Sequence, residues 1–288
     1  MIKLKDLLES SVTGTNSGTE SYGGFKGFIK PEDYNAYKKD LVKKLKLLLA
    51  EGVKDKGILK AVFLAGGPGS GKTYVVKQIF GIPDKFNISM SGMKMVNSDK
   101  ELKFLLNKYG FGTDLDKMPE EVFKNLTSDD PGSSGLRRFA KSLTKARMDL
   151  YQKGKLGMII DGTGHDFNKI AMEKKRLEED GYDTYMVFVN TSLDVAQQRN
   201  QERDRVLPPA LLKKSWTDVQ RNIGKFQSLF KSNFVIVDNS DYLDEEDAKR
   251  KFVPLMKRNI NVFVKKPIRN PIAKMWIKKQ QILKKKGK

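Results

Sequence analysis

The sequence predicts an α/β fold in which a parallel sheet is covered by helices on both faces, and three observations carry that prediction. From Leu59 onward, short apolar runs alternate with stretches of helical period. A glycine-rich turn ending in lysine and threonine joins the first apolar run to the first of these helices. Polar and acidic residues stand directly after three of the other runs, where the carboxyl ends of parallel strands present their chemistry.

The elements follow in order. Residues 9–24 are rich in Ser, Thr and Gly without apolar period, so 1–28 is expected to be a flexible segment. Residues 29–57 form a helical extension: Pro31 suits a first helical position, Tyr34, Tyr37, Leu41, Leu45, Leu48 and Leu49 recur at three or four residues, and Gly52 ends the pattern. The body spans 58–248. Its strands are expected at Ala61–Ala65, Met93–Asn97, Leu156–Ile160, Tyr185–Asn190 and Phe234–Val237. Its helices are expected near 72–80, 100–108, 135–153, 166–180, 193–205 and 209–230. Residues 110–134 read as loop, short helix and loop, an insert placed to lie over a site. Residues 249–288 form a basic extension in which Ile272, Met275, Trp276 and Leu283 share one helical face among lysines. There is no internal repeat.

Apolar content of 39% and charged content of 31% suit a soluble globular chain. The net charge is +20, but its distribution matters more: 15 of the 55 basic residues lie in 249–288, where no acidic residue occurs, leaving 40 basic against 35 acidic groups elsewhere. The extension therefore points to nucleic acid or another acidic partner, with a solubilising lysine-rich end as the plain alternative. The absence of cysteine excludes disulfides, thiolate nucleophiles and Cys-ligated metals, and a single histidine excludes multi-His zinc sites. No run of 18 apolar residues occurs and the first residues do not read as a signal peptide, so a cytoplasmic location without a transmembrane segment is expected.

Gly66, Gly67, Pro68, Gly69, Ser70, Gly71, Lys72 and Thr73 satisfy G-x-x-x-x-G-K-[ST] between a strand and a helix. This is the phosphate loop of a P-loop NTPase: backbone N–H groups face phosphate oxygens, Lys72 reaches the β and γ phosphates, and the Thr73 hydroxyl binds Mg²⁺. After the third run, Asp161 is placed either to hold Mg²⁺ or to close the turn at Gly162, with Thr163 beside it. After the second run, Asp99 is either a base for an acceptor hydroxyl or the N-cap of the next helix. Asn239, after the last run, joins the nucleotide-binding set. Arg199 and Arg203 share a helix face, with Arg205 beyond, and either neutralise a transferring phosphate or pair with acidic neighbours on the surface. The Pro-Pro pair that follows suits a hinged lid. Arg137 and Arg138 point away from a core face of Leu136, Phe139, Ala140, Leu143 and Leu150 and are candidates for acceptor contacts. His165, close after Thr163, is incidental on sequence grounds.

The loop, "NSD", "IIDGTG", "RNQERDR…LPP" and "VIVDNS" together resemble the P-loop kinases of the zeta toxin and bacteriophage polynucleotide kinase group, over roughly residues 58–240. The resemblance implies a five-stranded parallel sheet of order 2-3-1-4-5 and the use of ATP with Mg²⁺. It also implies Asp99 as the base, Asp161 and Thr163 at the metal and acceptor, and Arg199 and Arg203 on the lid helix. Leu102 departs from phage polynucleotide kinase, which has an Arg at that spacing for the acceptor's phosphate. The activity expected is transfer of the γ-phosphate of ATP to a hydroxyl of a nucleotide sugar, nucleoside or nucleic-acid end. The alternatives are a polynucleotide 5′-kinase, a nucleic-acid-associated ATPase and a nucleotide-binding structural protein. Gly162 weighs against the ATPase, because motor ATPases place Glu after that Asp.

Overall fold

A computed structural model describes residue 39 and residues 52–82, 89, 92–108, 136–202, 207, 209–241 and 245–286. The segment 1–28, residues 29–51 of the expected helix apart from Lys39, the insert 110–134, and Arg203 and Arg205 lie outside the described residues. The chain divides into two compact units, one of Met1–Ala50 with Val96–Lys153, the other of Glu51–Met95 with Gly154–Lys288.

In chain order the elements are β1 (Lys60–Ala65), α1 (Lys72–Phe80), β2 (Lys94–Val96), α2 (Ser98–Lys108), α3 (Leu136–Lys153), β3 (Met158–Asp161), α4 (Phe167–Glu179) and β4 (Asp183–Asn190). They continue with α5 (Leu193–Gln201), α6 (Pro209–Arg221), α7 (Ile223–Phe230) and β5 (Phe234–Asp238). Then come α8 (Glu245–Leu255), a π-helical stretch (Met256–Asn261), the single turn α9 (Val262–Lys265) and α10 (Pro271–Lys286). The five strands form one parallel sheet of order β2-β3-β1-β4-β5, the expected order.

β1, β2 and the middle of β4 are buried on both faces, which is why they read as continuous apolar runs, while Ile236 of the edge strand β5 is exposed. On one face Val62, Leu64, Tyr185, Val187, Val189 and Val237 pack with Val75, Val76, Ile79 and Phe80 of α1. On the other, Phe63 meets Phe230 of α7 edge-on at 5.5 Å between ring centroids, and Phe226 of α7 lies 6.4 Å from Phe188 and 5.5 Å from Phe167 of α4.

The strand ends opposite the carboxyl side are tied by buried charge. Asp55 accepts from Gly57 N at 2.9 Å and Gly157 N at 3.1 Å through Oδ1, and Lys94 Nζ pairs with its Oδ2. Lys60 gives a 2.6 Å bond to Asp183, and this pair starts β4 two residues before the expected boundary.

Residues 249–265, expected within a basic extension, place Phe252, Ile260 and Phe263 in the core beside α1 and β4. Phe263 stacks against Tyr185 at 5.0 Å and Tyr74 of α1 meets Phe252 at 6.4 Å. Truncating a phenylalanine as fully buried as Phe252 costs about 3–5 kcal/mol. The helix expected over 209–230 is broken at Asn222, whose side chain is drawn out to two carbonyls of the β3–α4 turn.

In the other unit, α2 and α3 pack against one another through Leu105 and Leu106 on one side and Phe139, Ala140 and Leu143 on the other. Arg147 and Glu101 add a largely buried ion pair of 2.5 Å.

Candidate functional site

The loop Gly66–Gly71 leaves the carboxyl end of β1 and turns back into α1. Its tightness requires glycine at two positions. Gly69 has φ 73°, and a Cβ there would run into the backbone of Ala196 in α5; Gly71 has φ 67°, and a Cβ would strike the Asn239 carboxamide. Gly71 is also the N-cap of α1 and supplies no side-chain acceptor, so the helix's first N–H groups are left for a ligand in the loop.

Register brings the carboxylate of β3 to this loop, since Leu64 of β1 lies opposite Asp161. Lys72 Nζ stands 2.7 Å from Asp161 Oδ1 and donates to Gly162 O at 2.7 Å, with the two side chains only 16% and 10% exposed. The loop lysine thus spans from α1 to the end of β3. The turn after β3 is fixed on several sides: Gly162 N donates to Leu64 O, Gly66 N donates to Thr163 O at 3.1 Å, and the Asn222 carboxamide donates to the carbonyls of Gly164 and His165. The Thr163 hydroxyl is in close contact with His165 Nδ1.

Asn239, just past β5, is buried and donates from Nδ2 to Ser70 O at 2.8 Å. It therefore holds the phosphate loop from behind. Its backbone N–H reaches Asn190 O, and its carbonyl accepts from Thr191 Oγ1 and from Arg199 Nη1 at 2.7 Å. Arg199 Nη2 donates to Asp241 O at 2.8 Å, so the guanidinium fork clasps the segment after β5. Arg203 lies outside the described residues.

Three contributors carried no sequence signal. Trp216 of α6 lies against Gly67 and donates from Nε1 to Thr191 O at 2.9 Å. Asn200 closes both bonds of its carboxamide on the backbone of Leu207, and Asn222 sits in the break between α6 and α7.

In the other unit, Asn97 Oδ1 accepts from Asp99 N at 2.7 Å and caps α2. The Asp99 carboxylate is therefore not the cap. It is 75% exposed and receives a 2.6 Å bond from Arg137 Nη1. Arg138 is exposed beside it, while Leu102 is buried.

Among the described residues no group of three or more His, Cys, Asp or Glu suits a metal. Asp161 and the exposed Thr73 hydroxyl instead offer the sparse, hard oxygen set that Mg²⁺ takes when nucleotide phosphates complete its shell, and these residues fit that ion.

A phosphate loop between β1 and α1, in a parallel sheet of order 2-3-1-4-5, gives this chain a P-loop NTPase fold. No protein-family model and no curated protein matches the sequence. Solved structures similar to it include one of the PezAT chromosomal toxin–antitoxin system of Streptococcus pneumoniae, at 13% identity over 83% of this chain and 100% of that one, with a TM-score of 0.48. A gluconokinase from Sinorhizobium meliloti 1021 is similar at 14% identity over 73% and 99% of the two chains, with a TM-score of 0.41. AvrRxo1-ORF1:ORF2, solved with ATP, is similar at 15% identity over 75% and 70%, also with a TM-score of 0.41. Among the described residues no helix is long and apolar enough to cross a membrane.

Proposed function

We propose that this chain is an ATP-dependent phosphotransferase that moves the γ-phosphoryl group to an alcohol-type hydroxyl, in the manner of the zeta toxin group. The supporting observation is the convergence of the phosphate loop, Lys72 and the Asp161 carboxylate at the adjoining carboxyl ends of β1 and β3. In the proposed reaction the backbone of Gly66–Gly71 and Lys72 hold the donor phosphates. The acceptor O–H bond breaks with its proton passing to the Asp99 carboxylate, the new O–P bond forms, and the bond from the γ-phosphorus to the β–γ bridging oxygen breaks to release ADP. Arg137 fixes the Asp99 carboxylate and, with Arg138 and Thr163, contacts the acceptor. Mg²⁺, held by Thr73 and Asp161, supplies neutralising charge on the donor phosphates when bound. Arg199 acts through the segment it clasps, keeping Asn239 behind the loop, and Arg203 neutralises charge from the lid.

Transfer is favoured over hydrolysis by two features. Gly162 follows Asp161 and offers no carboxylate to activate water, and Asp99 is spared its cap duty by Asn97. Incubating the full chain with labelled ATP and a panel of 5′-hydroxyl DNA and RNA, nucleosides and nucleotide sugars tests this. Label is expected on one acceptor class, abolished by Lys72→Ala and reduced about 100-fold or more by Asp99→Asn. Label released only as free phosphate sinks the transferase reading, and transfer untouched by Asp99→Asn removes Asp99 as the base.

A further inference from the structure

We infer that α10 is a membrane-surface helix that docks the protein on anionic lipid, independently of the phosphotransfer reading. The helix starts firmly: Asn270 Oδ1 accepts from Ile272 N at 2.9 Å, Pro271 occupies the first position, and Asn270 Nδ2 donates to Glu178 O at 3.1 Å. One face is seated on the body. Ala273 is buried against Gly181, where a Cβ would come within 3.1 Å of the Ala273 methyl, and Trp276 and Ile277 are half-buried on the same side.

The adjoining face, which Trp276 borders, is left open and is apolar. Ile272, Met275, Ile282 and Leu283 are 56%, 73%, 45% and 52% exposed. At 100° per residue these four fall on a single arc of about 100°, the width of an apolar stripe that ordinarily faces a core. The exposed Lys274, Lys278 and Lys285 lie together along one border of that arc, and Lys279 lies within it on a stem long enough to carry its ammonium outward. Arg258, Lys265, Lys266 and Arg269 are exposed just before the helix, and Val262 among them is 59% exposed. No acidic residue occurs anywhere in 249–288.

Charge alone fits nucleic acid equally well, but the four open aliphatic side chains decide between the two. A phosphate backbone gives them no apolar surface to enter, and they weaken a purely electrostatic grip by keeping it at a distance. An anionic bilayer uses both features at once: the aliphatic arc sinks to the acyl boundary while the lysines along its border meet headgroup phosphates and carboxylates. Each lysine near such a surface raises partitioning roughly fivefold, and each half-exposed aliphatic side chain that becomes buried contributes a comparable factor.

The test is flotation of the full chain with vesicles of phosphatidylcholine alone or mixed with phosphatidylserine. Binding is expected to the mixed vesicles and to fall with salt. The variant I272S/M275S/L283S, whose changes are all at exposed positions, is expected to keep the parent's far-UV spectrum and thermal midpoint while losing roughly 10- to 100-fold in partitioning. The variant K274E/K278E/K285E is expected to abolish the preference for phosphatidylserine. Failure to bind mixed vesicles overturns the proposal, as does binding that the serine variant leaves unchanged. Binding of duplex DNA or an acidic polypeptide that depends on the three aliphatic side chains, without vesicle binding, assigns the face to that partner and also overturns it. ATP turnover in solution is expected to be the same for both variants, so this outcome stands apart from that of the phosphotransfer assay.

Discussion

Replacing Asn239 by alanine removes the hydrogen bond from its Nδ2 to Ser70 O, a 2.8 Å contact within a buried setting that ties β5 to the phosphate loop. The abandoned carbonyl has lost its partner where water does not readily replace it, a cost of about 1–3 kcal/mol. Part of that cost falls on the folded state as a whole and part on the conformation of the loop, because Gly71 packs directly on the carboxamide and gains room to move. Nucleotide affinity is therefore expected to fall by about 5- to 100-fold, alongside a lower unfolding midpoint. Asn239→Asp is expected to be worse, since a carboxylate cannot donate to a carbonyl and sets two acceptors against one another. Titration with a fluorescent ATP analogue, paired with urea unfolding of the same samples, separates the two effects. A variant that loses stability but binds the analogue within twofold of the parent refutes the claim that Asn239 shapes the loop, leaving it a purely structural bond.

Three other outcomes follow from the geometry. Gly69→Ala is expected to abolish analogue binding, because its φ of 73° costs about 1–2 kcal/mol for a side chain and the Cβ meets the Ala196 backbone, whereas Gly224→Ala, with open space around it, is expected to be neutral or to stabilise by up to about 1 kcal/mol in the same urea titration. Lys94→Met leaves the Asp55 carboxylate buried without its cation, the two side chains being 2% and 1% exposed, and is expected to cost about 3–5 kcal/mol in urea unfolding; the double variant with Asp55→Asn is expected to recover part of it, and strict additivity counts against the pairing. Burial raises the Tyr182 phenol, with the Asp180 charge adding to it, and pushes Tyr185 up to about 12. Both phenols ionise earlier in the unfolded chain, so their stabilisation is complete below pH ~10 and is lost as the pH climbs toward the folded values, by up to about 1.4 kcal/mol per pH unit for each group. Urea midpoints from pH 9 to 11 check this, and a slope that Tyr185→Phe leaves unchanged removes that residue from the effect.

The phosphate loop was legible because its signals are local. The loop's glycines, Lys72 and Thr73 are adjacent in sequence, and a strand buried on both faces leaves an unbroken apolar run. The supports of the loop were not legible, because each joins segments far apart in the chain: Asn239 reaches Ser70 across 169 positions and Asn222 reaches Gly164 across 58. An isolated asparagine carries no mark of such a partner. The core role of 249–265 was hidden for a different reason. Phe252, Ile260 and Phe263 keep an α-helical spacing, but Pro254 interrupts the pattern between them and the surrounding lysines dominate the composition.

Asp99 shows how one residue's reading depends on a boundary placed two positions away. If α2 began after Asp99, the carboxylate would be consumed as its N-cap. The helix begins at Ser98 instead, Asn97 takes the cap, and Asp99 stands in the first turn, where it accepts a hydrogen bond from Arg137. The same register turns Leu102 inward, so that position belongs to the α2–α3 core and has no access to an acceptor. A charged group recognising an acceptor phosphate must then come from another element. Of the acceptor candidates, Arg138 on α3 is exposed and follows Arg137, which bonds Asp99, on the same helix. On the proposed phosphotransferase reading, a phosphate-bearing acceptor would be met by Arg138 on α3 and not from position 102 of α2.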